Sequence, residues 1–370
     1  MSQSPQSINQ NPSTSPPASF IAGLGMITSI GFNSAMTAAS VKAGISGYQA
    51  SNDYFNSDGN QITLATVPDD LFSSYIAEEE DDDIYSIQYD RILKMAFLAI
   101  NEAIDNIVFK NPVPLILAVP EETDSDNYVP LEMLIAKLLK QEGYPFQAEL
   151  IRFVSTGRAG ALQAIKIAEE YLHDKGMDFV LIGSSDSYLE PARLMQIDEK
   201  ERLLAQDRMD GFAGGEGAGF VLLTRQASLA KQKNNNIISI TGFGSALEKG
   251  HMYSAEPYRG EGLDNAFKAA LINYNGEGID TVYSSMNGES HWGKEYGVAM
   301  IRNKNCFKES VNTQHPADCF GDLGTATSSV LLGLSALQLL QEANCKESLV
   351  YASSDTAWRA VVTIKKVQLA

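Results

Sequence analysis

The sequence has few cysteines, and these follow no recognisable pattern. Its 370 residues include only Cys306, Cys319 and Cys345, which form no Cys-x-x-Cys pair and leave an odd number. This scarcity excludes a disulfide framework and a zinc site of the usual Cys/His spacing. It indicates a reduced compartment, which we take to be the cytoplasm. We expect no metal and no cofactor.

Basic residues and long apolar runs are also scarce. Lys and Arg number 28 against 46 Asp and Glu, which gives a net charge of −18. A field of that sign repels phosphate backbones and anionic head groups, so we expect neither nucleic acid nor a membrane as a partner. No stretch approaches the roughly 18 consecutive apolar residues of a membrane helix. The first twenty residues lack the basic and apolar regions of a secretory signal.

Two segments are too polar to join a core. Residues 1–19 consist of Ser, Gln, Asn, Pro and small residues, a composition typical of a disordered tail. The run Glu78–Asp83, EEEDDD, predicts a solvated loop or helix end, with docking of a cationic partner as the alternative.

The remaining chain can bury a large core and shows an internal repeat. Residues 19–31 and 238–250 each read as an apolar strand that runs into a glycine-containing turn. Each is followed by an amphipathic helix, a strand, a helix dense in small residues and two more strands. The pattern predicts two βαβαββ halves, 20–236 and 237–370. We expect mixed sheets in a five-layer α/β/α/β/α arrangement, with the small-residue helices face to face.

Each half also contains a short Gly-x-Gly piece, starting at Gly23 and at Gly242. Neither completes the Gly-x-Gly-x-x-Gly fingerprint at a helix opening, and the two recur at equivalent places in the repeat. A structural turn is therefore expected at both, and a dinucleotide site is not.

One motif carries a family resemblance. The segment Arg208–Arg225, RMDGFAGGEGAGFVLLTR, resembles the R-D-G-F-x-x-G-E-G-A-G segment of the β-ketoacyl synthase branch of the thiolase fold. The resemblance extends over nearly all of residues 20–366. It implies the thiolase-like fold, and it also implies condensing chemistry that uses a cysteine at the start of the central helix and two histidines in the second half.

The residues that this chemistry needs are missing at the matching positions. The family's T-A-C-S-S-S-L lies over residues 156–162, which places Arg158 in the cysteine position. The two histidine-containing motifs lie over residues 287–295 and 321–330, which places Asn287 and Asp322 in the histidine positions. Because a guanidinium stays protonated, it cannot accept an acyl group. The resemblance therefore implies a protein without condensing activity.

Two further departures point the same way. The family's lysine position falls near Ala317, and its Gly-Phe-Gly-Gly gate is replaced by SSDTAW at Ser353–Trp358.

The replacements could themselves form a site. The resemblance brings six residues to the old pocket: Arg158, Asn287, Glu289, His291, Cys319 and Asp322. One reading is an anion site, or a new catalytic pair of His291 and Cys319. We favour the other, in which Arg158 pairs with Asp322 or Glu289 as an internal salt bridge, because a cation at a helix N-terminus should recruit a carboxylate.

Three functions follow from the resemblance. The first is an inactive scaffold that forms a homodimer through the strand around 146–155. The segment Ile182–Gly219 resembles a synthase-like group associated with type VI secretion loci, which suggests an adaptor. The second is a non-catalytic partner of an active ketosynthase in fatty acid or polyketide biosynthesis, as chain-length factors are. The third is an acyltransferase with a rearranged site.

Overall fold

The computed structural model of the protein describes residues 18–72, 87–121 and 131–369. The acidic run 78–83 and residues 1–17 of the predicted tail lie outside the described residues. The first strand begins at Ser19, inside the segment that the sequence analysis assigned to the tail. None of the helices in the described ranges combines the length and the apolar character that crossing a membrane requires.

The described residues form a largely alternating order of strands and helices. The strands are β1 (Ser19–Thr28), β2 (Gln49–Phe55), β3 (Gln61–Ala65), β4 (Leu115–Ala118), β5 (Ile151–Val154), β6 (Phe179–Ser187), β7 (Gly214–Thr224), β8 (Asn236–Leu247), β9 (Ile279–Ser284), β10 (Phe307–Gln314), β11 (Glu347–Ser353) and β12 (Trp358–Gln368). The α-helices are α1 (Ser34–Lys42), α2 (Ile87–Ile104), α3 (Leu131–Lys140), α4 (Gly160–Glu169), α5 (Pro191–Asp198), α6 (Glu261–Ala270), α7 (Ser290–Arg302), α8 (Ala317–Phe320) and α9 (Thr327–Gln341).

The strand order shows the duplication directly. It runs β10-β9-β11-β12-β8-β1-β7-β6-β4-β5, so the two halves have the same internal order and meet where β1 pairs with β8. In each half the strand next to the outer edge, β4 or β9, pairs in parallel on both sides, and the last two strands pair antiparallel. The predicted mixed α/β architecture with two similar halves is confirmed.

The predicted βαβαββ repeat omits a helix and an edge strand in each half, and it also omits α1, β2, β3 and α5 of the first half and α8 of the second. The omitted helix and edge strand are α3 and β5 in the first half, and α7 and β10 in the second. Strand β10, FKESVNTQ, contains no fully buried residue. An edge strand that faces solvent carries no continuous apolar run, so periodicity alone does not reveal it. Strand β5 is also shorter than the predicted 146–155 because residues 148–150 form a 3₁₀ turn.

Three apolar clusters lie between successive layers. The first, between α2 and the first half-sheet, includes Ile100 and Leu222, and the second, between α6 and the other half-sheet, includes Phe267 and Val361. The largest cluster surrounds α4 and α9, which contact each other and strands of both halves. This gives a helix, sheet, helix, sheet, helix succession, with the two small-residue helices in contact as expected.

The two Gly-x-Gly pieces lie inside strands, so the predicted turns are wrong. Gly25 in β1 lies directly against the carbonyl oxygen of Ala99 in α2, and Gly244 in β8 lies in the same way against Ala266 in α6. A side chain at either position would collide with helix backbone. These glycines therefore permit close packing of a helix on a strand, and their equivalence in the two halves follows from the duplication.

Candidate functional site

Two equivalent turns begin the central helices. Residues Gly157–Ala159 form a 3₁₀ turn before α4, and Gly324–Ala326 form one before α9. Both glycines have left-handed backbones, with φ of +59° and +55°, a conformation that glycine adopts without strain. The two turns contact each other, so the side chain at position 158 reaches the second half of the molecule.

Arg158 is buried against Asp322. Its Nε lies 2.8 and 3.0 Å from the two carboxylate oxygens, and its Nη2 lies 2.5 Å from Oδ2. Asn287 donates from Nδ2 to the same carboxylate at 2.8 Å. Of the three positions at which the resemblance expects cysteine and two histidines, the first two, Arg158 and Asn287, thus both contact the third, Asp322. Of the two carboxylates that the sequence offered as partners for Arg158, Asp322 is the one it contacts.

Glu289 instead pairs with a second buried arginine, Arg202. Arg202 donates from Nε to Oε1 at 2.6 Å and from Nη2 to Oε2 at 2.8 Å. Glu289 also accepts hydrogen bonds from Asn287 Nδ2 at 3.1 Å and Trp292 Nε1 at 2.9 Å. Both of its oxygens are thus occupied, and Asn287 connects the two ion pairs.

A third carboxylate, Asp355, lies between the two arginines. Arg158 Nη1 lies 2.5 Å from Oδ1, and Arg202 Nη1 lies 2.7 Å from Oδ2. Burial alone would raise the pKa of Asp355, but the positive charges of Arg158 and Arg202 and their hydrogen bonds hold it well below its usual range. We call Arg158, Arg202, Asp322, Glu289 and Asp355 the arginine network.

A further buried ion pair, between Arg359 and Glu295, holds the loop that carries Asp355. This loop, residues 354–357, joins β11 to β12. Arg359 is fully buried and donates from Nε to Glu295 at 2.6 Å, while its Nη1 donates to the carbonyl oxygens of Ser354 and Thr356 at 2.8 and 2.6 Å. The buried Arg359 therefore holds the loop backbone in place through the carbonyl groups of Ser354 and Thr356.

His291 and Cys319 lie in separate environments, each set by its own neighbours. The His291 ring packs against Tyr258 and Trp292, with centroids 4.9 and 4.8 Å apart, and burial lowers its pKa. Burial, assisted by the charge of Asp318, raises the pKa of the Cys319 thiol. Among the described residues, no hydrogen bond joins the two side chains. Cys319 is therefore a protonated thiol without an activating base.

Arg158 stays protonated in this environment. Burial disfavours the charged form of Arg158, but Asp322 and Asp355 outweigh it and raise its pKa well above the usual value. The backbone N–H of Ala159 donates to Ser354 Oγ at 3.0 Å, so it is already engaged. A nucleophile needs a deprotonated form, and an oxyanion needs open donors. Arg158 supplies no deprotonated nucleophile, and the N–H of Ala159 is not an open donor.

The sequence analysis missed two members of this network. Asp355 lies in SSDTAW, where the departure from the family's gate was noted but no role was given to the carboxylate. Arg202 lies in the charged run EKER, which follows a helix end, and nothing in its neighbourhood distinguishes it from a solvated side chain. Only the fold brings it to Glu289.

Asp355 should make stability depend on pH. A carboxylate whose folded pKa is depressed stabilises the fold above its unfolded pKa of about 3.9, and this contribution is lost as pH falls towards the folded value. We therefore expect the wild type to be more stable than Asp355→Asn at pH 7, and the difference to shrink below about pH 4. Urea midpoints measured from pH 7 to pH 3 test this. Asp90→Asn, at an exposed i,i+4 pair, is the control; a pH-independent difference would contradict the expectation.

The chain has a mixed α/β, thiolase-like fold that ketosynthases share. The family model described as "Beta-ketoacyl synthase, N-terminal domain" matches residues 152–228, a range that includes Arg158 and Arg202. A search of curated protein sequences gives no match.

Solved structures share the fold over 95% of this chain. The ishigamide ketosynthase/chain length factor is 19% identical with a TM-score of 0.72, and 99% of that chain is covered. A ketosynthase from module 6 of the bacillaene synthase of Bacillus subtilis 168 is 15% identical with a TM-score of 0.75 and 72% coverage. The ketosynthase ApeO in complex with its chain length factor ApeC, from Xenorhabdus doucetiae, is 15% identical with a TM-score of 0.66 and 98% coverage.

Proposed function

We propose that this chain is a non-catalytic subunit that pairs with an active ketosynthase and helps to shape its acyl-binding tunnel, as a chain length factor does. The observation that carries the proposal is the arginine network. Arg158, Asn287 and Asp322 stand at the positions that the resemblance assigns to the catalytic cysteine and histidines, and they are joined by a buried ion pair and a hydrogen bond to Asp322. The scaffold around them keeps the fold of the synthases.

The structural neighbours support the partnership. Two of them are described as a ketosynthase with a chain length factor, and a third is described as a ketosynthase bound to an acyl-carrier protein. At sequence identities below 20%, these similarities establish only the fold. The pairing with a ketosynthase is our proposal for this chain.

Strand β5 offers a place for the partner to join. It ends the sheet, and among the described strands only β4 pairs with it. The open side of an edge strand presents unpaired N–H and C=O groups that another chain can complete. Pairing of β5 with the same edge of a ketosynthase would extend the sheet from one subunit into the other. A homodimer through the same edge is the competing assembly.

The other two hypotheses have less support. No feature of the described residues, and none of the solved structures named above, favours the type VI secretion adaptor. The acyltransferase would need a reactive thiol, but Cys319 is buried with a raised pKa.

Co-expression tests the proposal. The chain is produced with the ketosynthase and the acyl carrier protein encoded in the same host, with an affinity tag on this chain only. We expect a complex with the ketosynthase in equal amounts, and products whose chain lengths differ from those of the ketosynthase alone. A matched sample contains the ketosynthase with its nucleophilic cysteine replaced, which should pair equally well and give no product. A tagged homodimer that leaves the ketosynthase behind would overturn the proposal.

A further inference from the structure

One carboxylate, that of Asp355, is held by donors from three separate segments. Arg158 lies in the turn before α4, Arg202 follows α5, and Tyr253 lies on the loop after β8. Arg202 donates from Nη1 to Oδ2 at 2.7 Å and from Nη2 to Oδ1 at 3.1 Å, and the hydroxyl of Tyr253 donates to Oδ2 at 3.2 Å. Arg158 Nη1 completes the set at 2.5 Å. This is a built receptor for a carboxylate.

The charges around Asp355 indicate the charge of the ligand that the receptor would bind. Arg158 is already neutralised by Asp322, and Arg202 by Glu289. Without Asp355 the four remaining groups therefore sum to zero, and each arginine keeps an outward Nη1 donor. One singly charged carboxylate fits this arrangement, because its two oxygens match donors on both guanidiniums. A doubly charged phosphate would add uncompensated charge beside Asp322 and Glu289.

Exposure shows from which side the carboxylate comes. The side chains of Arg158 and Arg202 are 4% and 7% exposed, whereas that of Asp355 is 21% exposed. Tyr253 is 41% exposed and forms the outer wall. Asp355 therefore enters the receptor from the solvent side, on the four-residue loop between β11 and β12.

We propose that Arg158, Arg202 and Tyr253 form a binding site for a small carboxylate, and that Asp355 occupies it from within the chain. A ligand carboxylate binds in exchange for that of Asp355, whose side chain rotates outward while the carbonyl groups of Ser354 and Thr356 stay bonded to Arg359. Because Asp322 and Glu289 hold the two guanidiniums in place, the donors keep their geometry when Asp355 leaves, and this pre-organisation favours the incoming ligand. The site does not depend on whether the chain pairs with a ketosynthase.

Acetate binding to Asp355→Ala tests the site. We expect sodium acetate to raise the Tm of this variant in a saturable way, with an apparent Kd at least tenfold lower than for the wild type, whose own carboxylate competes. Sodium chloride at equal ionic strength controls for screening, and sodium phosphate at equal ionic strength should have a smaller effect. In Asp355→Ala/Arg202→Lys, the point charge remains but the two-pronged donor is lost, and the acetate effect should fall at least tenfold.

Two results would overturn the assignment. One is an acetate response of Asp355→Ala equal to that of the wild type, and the other is a response that Arg202→Lys leaves unchanged. If Asp355→Ala accumulates unfolded, the refolding yield in acetate against chloride replaces the melting curve. A yield that acetate does not raise would then refute the site.

Discussion

Replacing Arg158 by alanine should destabilise the protein by about 3–5 kcal/mol, because it leaves the buried carboxylates of Asp322 and Asp355 without their shared cation. Asn287 and the backbone N–H of Gly324 still donate to Asp322, but neither neutralises its charge. Thermal unfolding measures the effect, and we expect Tm to fall on the order of 5–10 °C.

Matched variants separate the buried charge from the loss of a side chain. Arg225→Ala removes an arginine whose pair with Asp178 is exposed, and it should cost less than about 1 kcal/mol. Arg158→Met/Asp322→Leu removes both charges of the buried pair and should recover part of the loss, since apolar replacements of similar volume often equal a buried ion pair. A melting temperature unchanged in Arg158→Ala would contradict the structural role of the network.

Replacing Phe153 by proline should abolish co-purification with the ketosynthase. The carbonyl oxygen of Val154 accepts from the N–H of Val119, so the backbone groups of Val154 face β4. Backbone groups alternate along a strand, and the N–H of Phe153 therefore points to the open edge. Proline removes that donor and is tolerated on an edge strand whose N–H faces solvent.

The control for this variant is Phe153→Ala, which loses the same packing but keeps the N–H. We expect the alanine variant to retain most of the complex and the proline variant to retain less than a tenth, with both giving cooperative melting curves. If the two variants bind the ketosynthase equally well, the partner does not join through β5.

The sequence reveals those parts of the fold whose burial leaves a pattern. Strands β6 and β7, buried along almost their whole length, contain the apolar runs FVLI and FVLL, and α2 shows helical spacing. Edge strands carry no such signal, which is why β5 was predicted too long and β10 was missed. The Gly-x-Gly pieces were read as turns because a single strand does not show that a helix backbone presses against it.

Some residues of the site could be predicted from the sequence and others could not. Arg158, Asn287 and Asp322 were singled out because each stands inside a segment that resembles a family motif, and the structure shows that Arg158 and Asn287 both contact Asp322. The partner of Glu289 could not be found, because Arg202 lies far away in the sequence and only the packed fold brings the two together. The residues next to a charged residue in the sequence do not indicate which distant residue it will pair with.

The contact between α4 and α9 also has a consequence for how the chain is made. These helices form the central layer, yet α9 begins at Thr327, long after α4 ends at Glu169. At typical translation rates, α4 waits on the order of 10 s for its partner to leave the ribosome, with Ala164, Ile165 and Ala168 uncovered. Because such distant contacts also close slowly, the nascent first half is the stage at which a chaperone is most needed.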